Sequence, residues 1–162
     1  MHDPNTLIYL QDNELDDYKK LEQRTIEIRK HHSDLQDKMR PLDARMKEIS
    51  SLQKQISTYI STRKVFDEYR KSRYSKKFLA ENEGQIIKHR AAKKFFNEQG
   101  LDKLPTIKAL KAEYATLKTK KDKLYGQYKK VQEDLKAIAM VKTNADQLLG
   151  FDKKTNAAPQ KS

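Results

Sequence analysis

The residues able to do chemistry in this chain are few. Four histidines, His2, His31, His32 and His89, are the only imidazoles, and there is no cysteine. A helical metal pair needs ligands three or four residues apart on one face, whereas adjacent His31 and His32 point about 100° apart. Asp16-Asp17 and Glu133-Asp134 read as solvated helix faces, and neither stands beside a histidine in a ligating pattern. No Gly-rich phosphate loop, no Gly-x-Ser-x-Gly and no strand pattern to carry either is present. These observations predict a chain with no catalytic residues, no metal and no cofactor.

A different chemistry is written between Arg63 and Phe96. Arg63, Lys64, Arg70, Lys71, Arg73, Lys76, Lys77, Lys88, Arg90, Lys93 and Lys94 alternate there with Phe66, Tyr69, Tyr74, Phe78, Phe95 and Phe96. Lys and Arg neutralise phosphates and release counterions, and exposed rings can stack on bases. Arg90, Lys93 and Lys94 share a helix face at three- and four-residue spacing. The candidate nucleic-acid contacts are Arg70, Lys71, Arg73, Lys76, Lys77, Lys88, Arg90, Lys93 and Lys94. The alternative is a generic basic surface, with Phe78, Phe95 and Phe96 forming a small core; Phe78 and Phe95 would then pack on Leu101 and Leu104.

The charge distribution points to the same segment. The net charge is +12, yet residues 1–62 hold 10 Lys/Arg against 11 Asp/Glu. Residues 63–105 hold 12 against 6, and residues 106–162 hold 13 against 6. A one-sided basic balance points to a polyanion, nucleic acid before an anionic membrane. No apolar run approaches the roughly 18 residues of a membrane span. The start of the chain lacks a signal-peptide layout and cysteine is absent, so a cytoplasmic protein with no membrane partner is expected.

Two heptad runs must position this basic segment. On a grid of three- and four-residue steps stand Tyr18, Leu21, Ile28, Leu35, Met39, Leu42, Met46, Ile49, Ile56 and Ile60, with polar Thr25, His32 and Gln53 at the remaining steps. The rhythm returns through Ile107, Leu110, Tyr114, Leu117, Leu124, Tyr128, Val131, Leu135, Ile138, Ala145 and Leu149. Each run corresponds to roughly 63 Å of helix at about 1.5 Å per residue. A helix with one apolar seam must bury it, and the matched seam downstream is the nearest partner. With 36% hydrophobic and 36% charged residues, the composition fills a narrow seam rather than a broad core.

The predicted fold is therefore all-α, a long antiparallel coiled-coil hairpin with a short helical insertion at its tip. Residues 1–13 are expected to fray, 14–62 to form the first arm, 63–105 the basic tip, 106–150 the second arm and 151–162 a disordered tail. Pro41 interrupts the first helix, which we expect to kink and continue, or else to break. The tip helix should run from a Ser75 cap to Gln99, stopped by Gly100. Pro105 or Thr106 should open the next helix, and Gly150 should close it. Antiparallel pairing sets Ile60 against Ile107, Met46 against Lys121, Leu35 against Gln132 and Leu135, and Tyr18 against Leu149. Lys142 would meet Thr25 in a polar layer, or else Lys121 and Lys142 snorkel out of the seam.

From about Tyr59 the sequence also resembles a known family. The run Tyr69-Arg-Lys-Ser-Arg-Tyr-Ser-Lys-Lys-Phe-Leu-Ala-Glu-Asn-Glu83 is similar to a C-terminal segment of relaxase/mobilisation nucleases from mobile elements of Gram-positive gut bacteria. So are His89-Arg-Ala-Ala-Lys-Lys-Phe-Phe96, Leu104-Pro-Thr-Ile-Lys-Ala-Leu110, Ala112-Glu-Tyr-Ala115 and Leu148-Leu-Gly150. Arg73 departs from the family pattern, which leads us to expect a small residue. The resemblance implies a parent enzyme that nicks one DNA strand at a transfer origin with a tyrosine nucleophile and a metal-bound histidine cluster. No residue here matches either, so the resemblance implies the helical accessory region alone. Its implied partners are single- or double-stranded DNA and the relaxase nuclease domain or other transfer-complex proteins, in conjugative mobilisation. The rival expectation is a coiled-coil spacer or dimerisation module, possible as a homodimer, that binds protein rather than DNA.

Overall fold

The computed structural model describes residues 4–149, with side chains over 16–148. It is all-α: α1 spans Pro4–Lys71, α2 Lys76–Glu81, α3 Glu83–Glu98 and α4 Ile107–Leu149. The fold is a helical hairpin in which α1 and α4 run antiparallel. Helix α1 begins at Pro4, ten residues before the expected start at Glu14. Proline suits a first helical turn, where its missing N–H has no intrahelical partner to lose. Nothing between Pro4 and Lys71 breaks the helix, since all four glycines come later and Pro41 lies inside it without ending it. The expected tail, 151–162, and the Gly150 stop lie outside the described residues.

Packing divides the chain into two units, Met1–Arg40 with Asp122–Ser162, and Pro41–Lys121. In the first, Ile28, Leu35 and Val131 are buried, with Leu124, Tyr128, Leu135 and Ile138 packed around them. Polar residues enter this seam on defined terms. Thr25 is buried and its hydroxyl donates to the Leu21 carbonyl at 2.8 Å, so it is satisfied within its own helix. His32 stacks on Tyr128 at 4.5 Å, and the Tyr128 hydroxyl accepts from Gln36 and Gln132.

In the second unit, Ile49, Leu52, Ile56, Ala92, Phe96 and Leu110 form the core, bordered by Tyr59, Phe95, Leu101, Leu104, Ile107, Tyr114 and Leu117. Each large apolar side chain buried here stabilises by roughly 1.5–3 kcal/mol. Two helices share the long α1 surface in succession. Arg90 lies over Tyr69, His89 between Tyr59 and Phe66, and Phe96 against Tyr59, so α3 runs back along the end of α1. Helix α4 takes over from about the level of Ile56, with Leu110 in the core and Glu113 on Arg45. Within the segment expected as the tip, 63–105, α3 is a return helix packed on α1.

That arrangement departs from the predicted seam in two places. Ile60 sits at the right heptad step yet is 60% exposed, because Tyr59 and Thr62 face α3 instead. Leu52, off the predicted seam, is buried by the second partner helix. Polar contacts also cross the seam: Lys121 reaches Asp43 at 2.5 Å and Tyr18 bonds Asp146. The Tyr18 hydroxyl is held well above its ordinary range, first by that bond to Asp146, then by burial and by Glu22.

The expected tip helix is two helices. Ser75 caps α2, its hydroxyl accepting from the Phe78 N–H at 3.3 Å. Asn82 then leaves helical geometry at φ −128, its side-chain amide and its N–H both turned onto the Phe78 carbonyl. This local bonding ends α2 and starts α3. Gly100, at φ +67, closes α3: its N–H bonds Asn97 and the Leu101 N–H bonds Phe96, with Leu101 packed on the same core. Thr106, not Pro105, opens α4, its hydroxyl accepting from the Ala109 N–H at 3.0 Å.

Candidate nucleic-acid interface

The end of α1 repeats the helix-stop geometry without a glycine. Arg73 N–H bonds the Arg70 carbonyl at 3.0 Å and Tyr74 N–H bonds the Tyr69 carbonyl at 3.1 Å. Arg73 and Tyr74 accordingly stand at φ 57 and 60, in the left-handed region. An L side chain there costs roughly 1–2 kcal/mol. Ser72 offsets part of this by donating to the Tyr69 carbonyl at 2.6 Å and accepting from the Ser75 N–H. Tyr74 meets Tyr69 edge-on at 5.2 Å, the apolar contact that accompanies such a cap. The turn therefore fixes the backbone that carries Lys71, Arg73, Lys76 and Lys77 between the end of α1 and the start of α2.

All nine predicted contact residues are exposed, but their surroundings differ. Arg70 pairs with Asp67 at 2.8 Å and Lys94 with Glu98 at 3.9 Å. The Arg90 guanidinium lies 5.4 Å from the centre of the Tyr69 ring. Among the described residues, Lys71, Arg73, Lys76, Lys77, Lys88 and Lys93 form no ion pair. At about 100° per residue, Arg90, Lys93 and Lys94 share one flank of α3, whereas Lys88 falls on the opposite flank. The structure thus groups eight of the nine around the turn and one flank of α3, and sets Lys88 apart.

Beneath this surface lies a residue that the sequence reading did not single out. His89 is 3% exposed, with its ring stacked on Tyr59 at 4.6 Å and on Phe66 at 4.4 Å. Its Nδ1 lies 2.9 Å from the Thr62 hydroxyl, which is itself 2.7 Å from the Thr58 carbonyl. A hydroxyl donating to Thr58 can only accept from His89, so the bonding favours the Nδ1–H tautomer. Burial pushes the imidazole below its ordinary pKa of 6.5; Asp67 raises it, while Lys93 and Arg63 lower it further. The detectable signal was Tyr59, Thr62 and Phe66 at steps of three and four, which put two rings and a hydroxyl on one helix face.

The rings are mostly spent on packing. Tyr69 and Phe96 are buried, and Tyr59, Phe66, Phe78 and Phe95 are half-buried. Phe95 borders the core with Leu101 and Leu104, as expected, but Phe78 instead stacks on Tyr69 at 6.2 Å. No family profile, curated protein or solved structure matches the chain.

The units also sort the charge. Pro41–Lys121 holds 20 Lys/Arg against 9 Asp/Glu, a net +11 of the chain's +12. The other unit is left at +1. Among the described residues, no three His, Cys, Asp or Glu side chains come together as metal ligands. Among the described residues, no helix is long and apolar enough to cross a membrane. The geometry suits phosphate contacts made by side chains held on helices.

Proposed function

We propose that this chain is a non-catalytic helical module that binds DNA through its Pro41–Lys121 unit. The observation that carries this reading is the group of exposed cations without carboxylate partners, Lys71, Arg73, Lys76, Lys77 and Lys93, within a unit of net +11. Lys and Arg so placed gain affinity by releasing counterions from phosphates. The resemblance carried by Tyr69–Glu83 and His89–Phe96 supports a more specific role, as the accessory region of a relaxase/mobilisation protein. There it assists DNA handling or transfer-complex assembly during conjugative mobilisation.

Fluorescence anisotropy with labelled DNA at two salt concentrations tests the binding. Affinity should fall steeply with salt, by a logarithmic slope of about 0.9 for each phosphate contacted on a duplex. Replacing Lys71, Arg73, Lys76 and Lys77 by Gln should weaken binding and flatten the slope. A variant that binds as tightly as the parent would remove the site assignment. The relaxase role predicts co-purification with a relaxase nuclease domain, and its failure leaves only the DNA-binding module.

A second reading rests on the other unit. Ile26, Met140, Val141 and Leu148 are all more than half exposed there, in surroundings close to neutral. A coiled-coil spacer or dimerisation module would use such side chains against a second copy. Light scattering showing a stable dimer, together with no affinity for DNA, would favour it.

A further inference from the structure

The aromatic residues of the basic unit decide which form of DNA suits it. A surface that holds single strands offers exposed rings on which successive bases stack, and much of its affinity comes from that stacking. Here the rings are turned onto one another and onto His89 and Arg90. His89 lies against Tyr59 on one side and Phe66 on the other, and Tyr69 carries Arg90 and Phe78. Phe96 meets Tyr59 and Phe95 at its edges. Within Pro41–Lys121, Tyr74 is the only exposed aromatic, and it is turned edge-on to Tyr69. One ring is not a platform for successive bases.

The cations, by contrast, are all exposed and sit at spacings set by their helices. Lys71 closes α1, Lys76 and Lys77 open α2, and Arg90, Lys93 and Lys94 line one flank of α3. A duplex carries one negative charge per about 1.7 Å of axis on a stiff frame, so fixed cations meet phosphates without having to order the partner. A single strand would have to be ordered on this surface without the stacking that normally offsets the lost freedom.

We infer that the Arg70–Lys94 surface takes double-stranded DNA by its phosphate backbone and does not serve as a base-stacking site for single strands. This rests on the DNA-binding reading above. It adds that recognition is tolerant of sequence, because phosphate contacts position a protein without reading bases.

Competition against a labelled duplex tests it, using the full chain. The unlabelled competitors are the same duplex, a shuffled duplex and a non-self-complementary single strand, all of equal length. Both duplexes should compete at about tenfold lower concentration than the single strand. Tyr74→Ala should leave all three unchanged. A single strand that competes as well as the duplex, or a Tyr74→Ala variant that loses affinity for it, overturns the inference while leaving DNA binding intact. No salt-sensitive binding to any of the three overturns the DNA reading, and this inference with it.

Discussion

The Nδ1 of His89 on α3 lies 2.9 Å from the Thr62 hydroxyl on α1, in a slot walled by Tyr59 and Phe66. This contact fastens the return helix to α1 beneath the basic surface. His89 is the buried imidazole of the Pro41–Lys121 unit.

Acidification should loosen that fastening. The folded imidazole takes up its proton at lower pH than the unfolded one, which titrates near the ordinary 6.5. The contribution of this site is therefore complete above 6.5 and lost as pH falls below it, until the depressed folded value is passed. Arg63 and Lys93 strengthen the effect and Asp67 opposes it. The thermal midpoint, followed by circular dichroism, should drop by a few degrees between about pH 7.5 and about pH 5. His89→Phe keeps a ring between Tyr59 and Phe66 and should remove most of that drop. An equal drop in the variant would assign the acid sensitivity to other groups.

Relieving the left-handed turn should stabilise the protein. Arg73 stands at φ 57, where glycine has no side-chain penalty. Arg73→Gly is expected to raise the free energy of unfolding by about 1 kcal/mol, after the greater chain entropy of glycine is deducted. Urea titration gives the value. A destabilised variant would mean that the Arg73 side chain contributes more than its backbone costs.

Two isoleucines from the same predicted seam should behave in opposite ways. Ile49 is fully buried and Ile60 is 60% exposed. Ile49→Ala should cost about 2–5 kcal/mol and Ile60→Ala less than about 0.5. Comparable losses at the two positions would contradict the packing of α3 against Tyr59 and Thr62.

The Arg45–Glu113 pair marks the register between α1 and α4 more than it stabilises it. Arg45 holds Glu113 by two bonds of 2.6 and 2.9 Å and reaches Glu48 at 3.1 Å. Both side chains remain well exposed, so a double-mutant cycle should give a coupling below about 1 kcal/mol. The bond to Arg45 lowers the Glu113 pKa from 4.5, despite an opposing effect of burial. The coupling should persist at neutral pH and vanish as pH falls through that lowered value. A coupling that survives there would point to packing of the aliphatic stems instead.

The amino-acid sequence by itself determined the helices and their apolar faces. Charge and apolar periodicity are local properties, so Ile28, Leu35, Ile49, Ile56, Leu110 and Val131 could be read directly as core, and the basic run from Arg70 to Lys94 as surface. The Ser75 cap and the Gly100 stop were legible for the same reason, since each acts within its own turn. Only the tertiary structure decided which faces met. A heptad repeat presents apolar steps every three or four residues, so several registers fit nearly as well. Contacts such as Asp43–Lys121 and Arg45–Glu113 mark the register adopted. Tertiary packing also placed α3 along α1, which buried Leu52 and His89, left Ile60 in solvent and turned six rings into packing rather than a stacking surface. No local pattern encodes that choice, because it depends on which of two return helices reaches each stretch of α1.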